Sequence, residues 1–159
     1  MFDIRPARAA DDLARVRELF LEYQSALEVD LCFQGFEREL AGLPGSYAPP
    51  DGRLLLAWAG PEPAGCVALR RQGADAAEIK RLYVRPAFRG RGLGAALARA
   101  AMAAASEAGY AKLVLDTLPQ MAEAQALYRS LGFRDIAPYY ANPVPGARYL
   151  GLYLDSRIR

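Results

Sequence analysis

Histidine does not occur in the 159-residue chain. Its absence removes Ser-His-Asp and Cys-His nucleophilic catalysis and the common histidine metal sites. Any proton transfer must therefore use a carboxylate, tyrosine, lysine, cysteine or water. Cysteine is scarce as well: Cys32 and Cys66 lie far apart without CxxC spacing, which argues against a disulfide framework or a zinc site. Cys66, in the alternating run "AGCVALR", reads as a small core residue rather than a nucleophile, and no metal is expected. Neither sign of charge dominates. Twenty Lys and Arg against 18 Asp and Glu leave a net charge of +2, so nucleic acid is not an expected partner and any anion site must come from a local cluster. No apolar run approaches membrane-spanning length, and "MFDIRPARAADD" has acids and arginines where a signal peptide needs apolar residues. No membrane partner and a cytoplasmic location are the expectations.

What is there is ordinary for a folded domain: 53% apolar, 24% charged and 10% aromatic residues, in a length that suits a single domain over residues 1–159. "MFDIRPA" reads as a first strand, and "AADDLARVRELFLEYQSAL" as a helix with acids in its first turn and apolar Leu13, Val16, Leu19, Phe20 and Tyr23 on one face. A shorter helix is predicted at "GFERELAGL", before the Pro/Gly loop "PGSYAPPDG". "RLLLAWA", "PAGCVALR" and "AEIKRLYV" read as an antiparallel meander. A helix from about Gly92 to Ala108 then precedes the buried strand "KLVLDT". Next comes a helix "PQMAEAQALYRSLG" stopped by Gly132, and strands near "FRDIA" and "ARYLGLYL" flank the loop "PYYANPVPG". The order predicts a mixed α/β domain: one sheet with helices on its faces.

The densest local signal is "VRPAFRGRGLGAALARAA", which places arginines and glycines just ahead of a helix. A helix N-terminus offers unpaired N–H groups and partial positive charge. Gly90, Gly92 and Gly94 allow close backbone approach, and Arg89 and Arg91 can add charge-assisted hydrogen bonds. The stretch reads as a diphosphate cradle. Gly90 to Ala95 also satisfies GxGxxG/A, with Asp116 at the end of the next strand, so an NAD(P)-dependent oxidoreductase is one alternative. Five residues, Arg85 to Arg89, separate the strand from the first glycine, and an antiparallel meander precedes it. Both features fit a nucleotide diphosphate other than NAD better.

"EIKRLYVRPAFRGRGLGAAL" resembles the acyl-CoA-binding core of the GNAT superfamily of N-acetyltransferases. The pattern of that family, a strand followed by R/Q-x-x-G-x-G/A at a helix start, is filled by Arg89, Gly92 and Gly94. "AQALYRSLGFRDI" resembles the second signature, a helix with a tyrosine shortly before Gly-Phe, and together with the element order the resemblance covers nearly the whole chain. It implies a central, mostly antiparallel sheet of six to seven strands with helices on both faces and a splay between the fourth and fifth strands. It implies acetyl-CoA as donor, with the pyrophosphate held by the amides of Gly90, Arg91, Gly92, Leu93, Gly94 and Ala95. Leu82, Tyr83 and Val84 would offer backbone hydrogen bonds to the pantetheine arm. Many relatives carry an asparagine seven residues before the tyrosine, where this chain has Met121, which removes one side-chain contact to the cofactor.

The resemblance also implies that Tyr128 protonates the departing thiolate and that the Val84 amide polarises the thioester carbonyl. On spacing alone, Ala124, Leu127, Tyr128 and Leu131 form a helical stripe that would equally place the ring in the core. Glu78 is the candidate base, sharing a face with Lys80, Leu82 and Val84 by two-residue alternation. It could equally be a solvated partner of Lys80 or Arg81, with an ordered water taking the proton. For the acceptor, "LEVDLCFQGFERE" and "APYYANPVPGARY" supply Glu28, Asp30, Glu37, Tyr139, Tyr140 and Asn142, although Glu37 and Glu39 also look like an exposed helix face. A small-molecule amine is the expected partner, because no long accessory segment builds a peptide groove, and a protein amine stays open. A homodimer is compatible with such a fold. A non-catalytic acyl-CoA-binding sensor is the third reading.

Overall fold

In "RLLLAWA" and "GCVALR" nearly every side chain is apolar, as strands covered on both faces require. The computed structural model, which describes residues 1–27, 31 and 35–154, builds them as the centre of one seven-stranded sheet. Its strands are β1 (Asp3–Pro6), β2 (Arg53–Ala59), β3 (Glu62–Gln72), β4 (Ala76–Val84), β5 (Lys112–Thr117), β6 (Arg134–Asp135) and β7 (Arg148–Tyr153), with helices α1 (Ala10–Leu27), α2 (Phe36–Ala41), α3 (Leu93–Glu107) and α4 (Ala122–Ser130). Spatial order is β1-β2-β3-β4-β5-β7-β6. Glu28, Asp30 and Cys32 lie outside the described residues. The expected strand at "FRDIA" shrinks to Arg134–Asp135. Among the described residues no helix is long and apolar enough to cross a membrane.

Alternation along the strands feeds two cores. Leu55, Ala57, Val67, Leu69, Ala77 and Ile79 face α3 and α4, where Leu93, Leu97, Ala98, Ala101 and Tyr128 meet them. Leu54, Leu56, Cys66, Ala68 and Tyr83 face α1 and α2, against Val16, Leu19, Phe20 and Phe36. Alanine at Ala98, Ala101 and Ala105 lets α3 lie close on the sheet. Gly132, at φ +102°, ends α4 while the Phe133 and Gly132 amides donate to the carbonyls of Tyr128 and Arg129, the left-handed stop expected of a glycine there.

All strand pairs are antiparallel except β4 and β5, whose parallel ladder runs Ala76–Lys112, Ala77–Leu113, Glu78–Val114 and stops. Beyond Glu78 the two strands part, and no later residue of β4 is paired with β5. This is the expected splay. A single parallel pair also leaves no room for the successive βαβ units that a doubly wound dinucleotide fold needs.

Gly65 sits where β3 crosses the end of β4: a Cβ there would lie 2.6 Å from the Tyr83 carbonyl oxygen and 3.1 Å from Leu97 Cδ1. Gly65→Ala is expected to destabilise the fold by about 2 kcal/mol or more, read as a lower denaturant midpoint at unchanged m-value.

Candidate active site

Between the end of β4 and α3, the chain turns left-handed twice, at Gly90 (φ +79°) and Gly92 (φ +78°), a conformation cheap only for glycine. Gly92 is the N-cap of α3 and no side chain caps the helix. The first amide to find an intrahelical acceptor is Ala96, on the Gly92 carbonyl at 3.1 Å. The amides of Leu93, Gly94 and Ala95 precede it and point out of the helix end, the arrangement that receives an anion. Arg89 and Gly90 are exposed, as are Arg91 and Gly92, while Leu93 is buried as the first apolar anchor of α3. Arg89 Nε donates to the Val84 carbonyl at 2.9 Å and fastens the loop to the strand end. Arg91 stacks over Phe88 at 5.9 Å and keeps its charge at the rim. An open cleft of about 670 Å³ runs from these glycines along Leu82, Tyr83 and Val84, with Met121 and Leu127 on its α4 side and Tyr23 on its α1 side.

The splay is prepared by a bulge. Cys66 pairs with Tyr83 and Ala68 with Lys80, so both Arg81 and Leu82 stand opposite Val67, and Arg81 adopts φ +61°. Such a conformation is strained for a residue with a Cβ and needs its surroundings to hold it. They do. Arg81 Nε and NH2 donate to Glu39 Oε2 and Oε1, both at 3.0 Å, its guanidinium lies 5.2 Å from the Phe36 ring centroid, and the Cys66 thiol donates to the Arg81 carbonyl at 3.4 Å. Burial pushes the Cys66 thiol up, so it is a bulge fastener and not a nucleophile.

The extra residue inverts alternation, which corrects the sequence-based reading. Glu78 and Lys80 share a face with Tyr83 on the α1 side, whereas Leu82 and Val84 face α3. Strand β4 thus presents its apolar end to the cleft and its charged start to the opposite side. Glu39, expected on an exposed helix face, is instead drawn inward by Arg81, and Glu37 is exposed as expected.

Glu78 is no solvated strand end: it is 1% exposed. It accepts from Arg70 Nε at 2.9 Å and from the Tyr139 hydroxyl at 2.6 Å, with Lys80 Nζ 3.9 Å away. Asp116 accepts from the Tyr140 hydroxyl and from Asn142 Nδ2, the latter at 2.7 Å. Tyr139, Tyr140 and Tyr149 pack as a triangle with centroids 5.5–5.9 Å apart, so the loop before β7 delivers its polar ends onto Glu78 and Asp116. Burial, and next the Glu78 carboxylate, raise the Tyr139 phenol. Burial, and next Asp116, raise that of Tyr140, and both hydroxyls stay protonated donors. Burial lowers Lys80 to about 8, opposed by Glu78.

A smaller cavity of about 30 Å³ lies deeper in the splay, lined by Lys80, Asp116, Tyr128 and Tyr23 among others. It shares Tyr23, Leu27, Leu82 and Met121 with the glycine-lined cleft, so the two adjoin. Tyr128 is buried and packs edge-on against Phe133 at 5.4 Å. Burial pushes its phenol up, leaving it protonated at neutral pH.

The structure therefore brings together the glycine cradle, Leu82 to Val84, Tyr128, Asp116 and the loop residues Tyr139, Tyr140 and Asn142. It adds Arg70, Lys80, Arg81 and Glu39, of which alternation signalled only that Lys80 lies on the Glu78 face. The model of the acetyltransferase (GNAT) family matches residues 13–133. The chain belongs to the GNAT family. It is similar, at 39% identity over 155 residues covering 96% of this chain and 95% of the relative, to an uncharacterised N-acetyltransferase of Schizosaccharomyces pombe. Its fold matches an acetyltransferase from Streptococcus agalactiae at TM-score 0.80 and 22% identity, over 96% of this chain and 98% of that one. It also matches a GNAT acetyltransferase from Elizabethkingia anophelis with acetyl-CoA bound, at TM-score 0.67 and 23% identity, over 96% and 98%. As a GNAT protein the chain is an acyltransferase, and the mixed α/β sheet with its β4–β5 splay is the GNAT fold.

Because the Glu39 carboxylate takes two hydrogen bonds from the buried Arg81 guanidinium, Glu39→Gln is expected to cost about 1.5–3 kcal/mol, the scale for a hydrogen bond to a charged group. Chemical denaturation measures it, and a change below about 1 kcal/mol, the range of an exposed pair, would show that Arg81 does not depend on Glu39.

Proposed function

We propose that this GNAT chain, acting as a single domain, transfers the acetyl group of acetyl-CoA to a primary amine of a small molecule. The observation that carries this reading is a pair of adjoining cavities. A glycine-walled cleft, ending on uncapped α3 amides, shares Tyr23, Leu27, Leu82 and Met121 with a cavity lined by the protonated Tyr128, by Lys80 and by the Asp116 carboxylate. Acetyl-CoA supplies an activated thioester and an anionic diphosphate.

The residues of the chain divide the remaining work. Amides of Gly90 to Ala95, with Arg91 at the rim, suit the diphosphate by charge and close approach. Leu82 to Val84, which are not paired with β5, offer backbone groups to the pantetheine arm, and the amide of Val84 is assigned to polarise the thioester carbonyl. Tyr128, lining the inner cavity, holds a proton for the departing thiolate. Glu78 is the base that receives the amine proton, and Tyr139 and Arg70 fix both its oxygens for that task. The amine enters from the side of Tyr139, Tyr140 and Asn142, where Asp116 favours a cation on arrival. Direct attack needs no covalent enzyme intermediate, in keeping with the unreactive Cys66 thiol.

Thiol release followed across a panel of small amines tests the reading. A subset of amines should accelerate release, and Tyr128→Phe should lower kcat about a hundredfold or more with KM for acetyl-CoA nearly unchanged. Glu78→Gln should lower kcat/KM about a hundredfold or more. Unchanged kcat in Tyr128→Phe removes the tyrosine from proton transfer, and acetyl-CoA binding with no amine accelerating release would favour the sensor reading.

A further inference from the structure

Basic charge in this chain is almost wholly arginine: Lys80 and Lys112 are its only lysines. Lys112 opens β5, half-buried, with its ammonium 5.8 Å from the Tyr153 ring centroid. Lys80 is 5% exposed and lines the inner cavity. Among the described residues, the groups around it include Glu78 on its own strand, Arg81 at the bulge, Arg70 from β3, Asp116 from β5, Tyr23 from α1 and Tyr128 from α4. The cavity thus already contains a primary amine, beside the carboxylate assigned as base and next to the tyrosine assigned as acid.

We propose that Lys80 is a self-acetylation site, its own Nζ standing in for the acceptor amine when acetyl-CoA occupies the cleft. The inference rests on the acetyl-CoA reading of that cleft. In the step, the lone pair of neutral Nζ attacks the thioester carbonyl carbon, the N–C bond forms and the C–S bond breaks. Sulfur leaves with the electron pair as CoA thiolate, and the proton shed by nitrogen passes to Glu78 Oε2, 3.9 Å away. The products are acetyl-Lys80 and CoA. An amide, unlike a thioester, keeps its acetyl group, so this is a terminal modification and not a transfer intermediate. Acetylation also removes the cation beside Glu78 and places the acetyl group inside a cavity of about 30 Å³. Burial lowers Lys80 to about 8, so the neutral amine that attack requires is present at a pH where an ordinary lysine, near 10.4, is almost wholly charged.

The test is peptide mass mapping of the full chain incubated with acetyl-CoA and no amine, with acetyl-CoA binding measured in parallel by calorimetry. Lys112 is the internal reference for unassisted acylation. Lys80 should gain one acetyl group roughly tenfold or more faster than Lys112, as proximity dictates, and added CoA should slow Lys80 alone. Its rate should rise with pH and level off once the pH passes about 8. Lys80→Arg, which keeps the charge, should abolish the mark and leave Lys112 labelling unchanged. The wild-type rate ratio decides the question even if that variant folds poorly. Binding of acetyl-CoA with Lys80 unmodified, or modified no faster than Lys112, overturns the proposal and leaves the cleft reading intact. Absence of binding overturns both.

Discussion

One strained residue organises this molecule. Arg81 holds a positive φ in the middle of a strand, and the Glu39 carboxylate, the Phe36 ring and the Cys66 thiol hold Arg81. The bulge that results lets one strand serve two environments. Before it, Glu78 and Lys80 face the α1 side. After it, Leu82 and Val84 face α3 and border the glycine-lined cleft. Without the extra residue, Glu78 would share a face with the apolar end of β4, and the carboxylate cluster and the cleft would compete for the same side of the sheet. The parallel ladder with β5 ends at Glu78, just short of this point, so the opening between the strands begins where the strand changes its facing.

A buried polar region of this size must be electrically and geometrically complete to be tolerated. Among the described residues, the carboxylates Glu39, Glu78 and Asp116 are set among the cations Arg70, Lys80 and Arg81, and tyrosine and asparagine donors from the loop before β7 add hydrogen bonds to Glu78 and Asp116. Hydrogen bonds on both oxygens of Glu78 fix its direction, which suits the proton-accepting role proposed for it. On that proposal the chain manages without histidine: Tyr128, kept protonated by burial, is assigned the acid work and Glu78, held by Arg70, the base work.

Local features of the fold were readable from the chain alone. Positive φ at Gly90, Gly92 and Gly132, the alanine face of α3 and the β2-β3-β4 meander follow from residue type and short spacing, and the splay followed from the GNAT resemblance. What was not readable depends on long-range partners. Nothing in alternation marks Arg81 as a bulge, because the signal usually comes from glycine. The strain is instead supported by Glu39, 42 residues away, which the charge pattern of α2 assigns to solvent. Glu78 looked like a solvated strand end because its second donor, Tyr139, lies 61 residues downstream. Asp116, suggested as a ribose ligand by the glycine spacing, is instead tied to Tyr140 and Asn142. Sequence reasoning thus located the glycine turn and the cleft beside it, built from contiguous residues, and reached the surroundings of Glu78 and Asp116 only as separate candidates.

The central claim is that the glycine turn at the α3 N-terminus, with the splay beside it, receives a CoA thioester. Thermal unfolding with acetyl-CoA, CoA and NADPH in parallel tests it most directly. A ligand at a hundred times its Kd adds about 2.7 kcal/mol, a rise of roughly 5 to 10 °C for a domain of this size. The account predicts that rise with acetyl-CoA and CoA and none with NADPH. A rise with NADPH alone, or no rise with either CoA species, would contradict it.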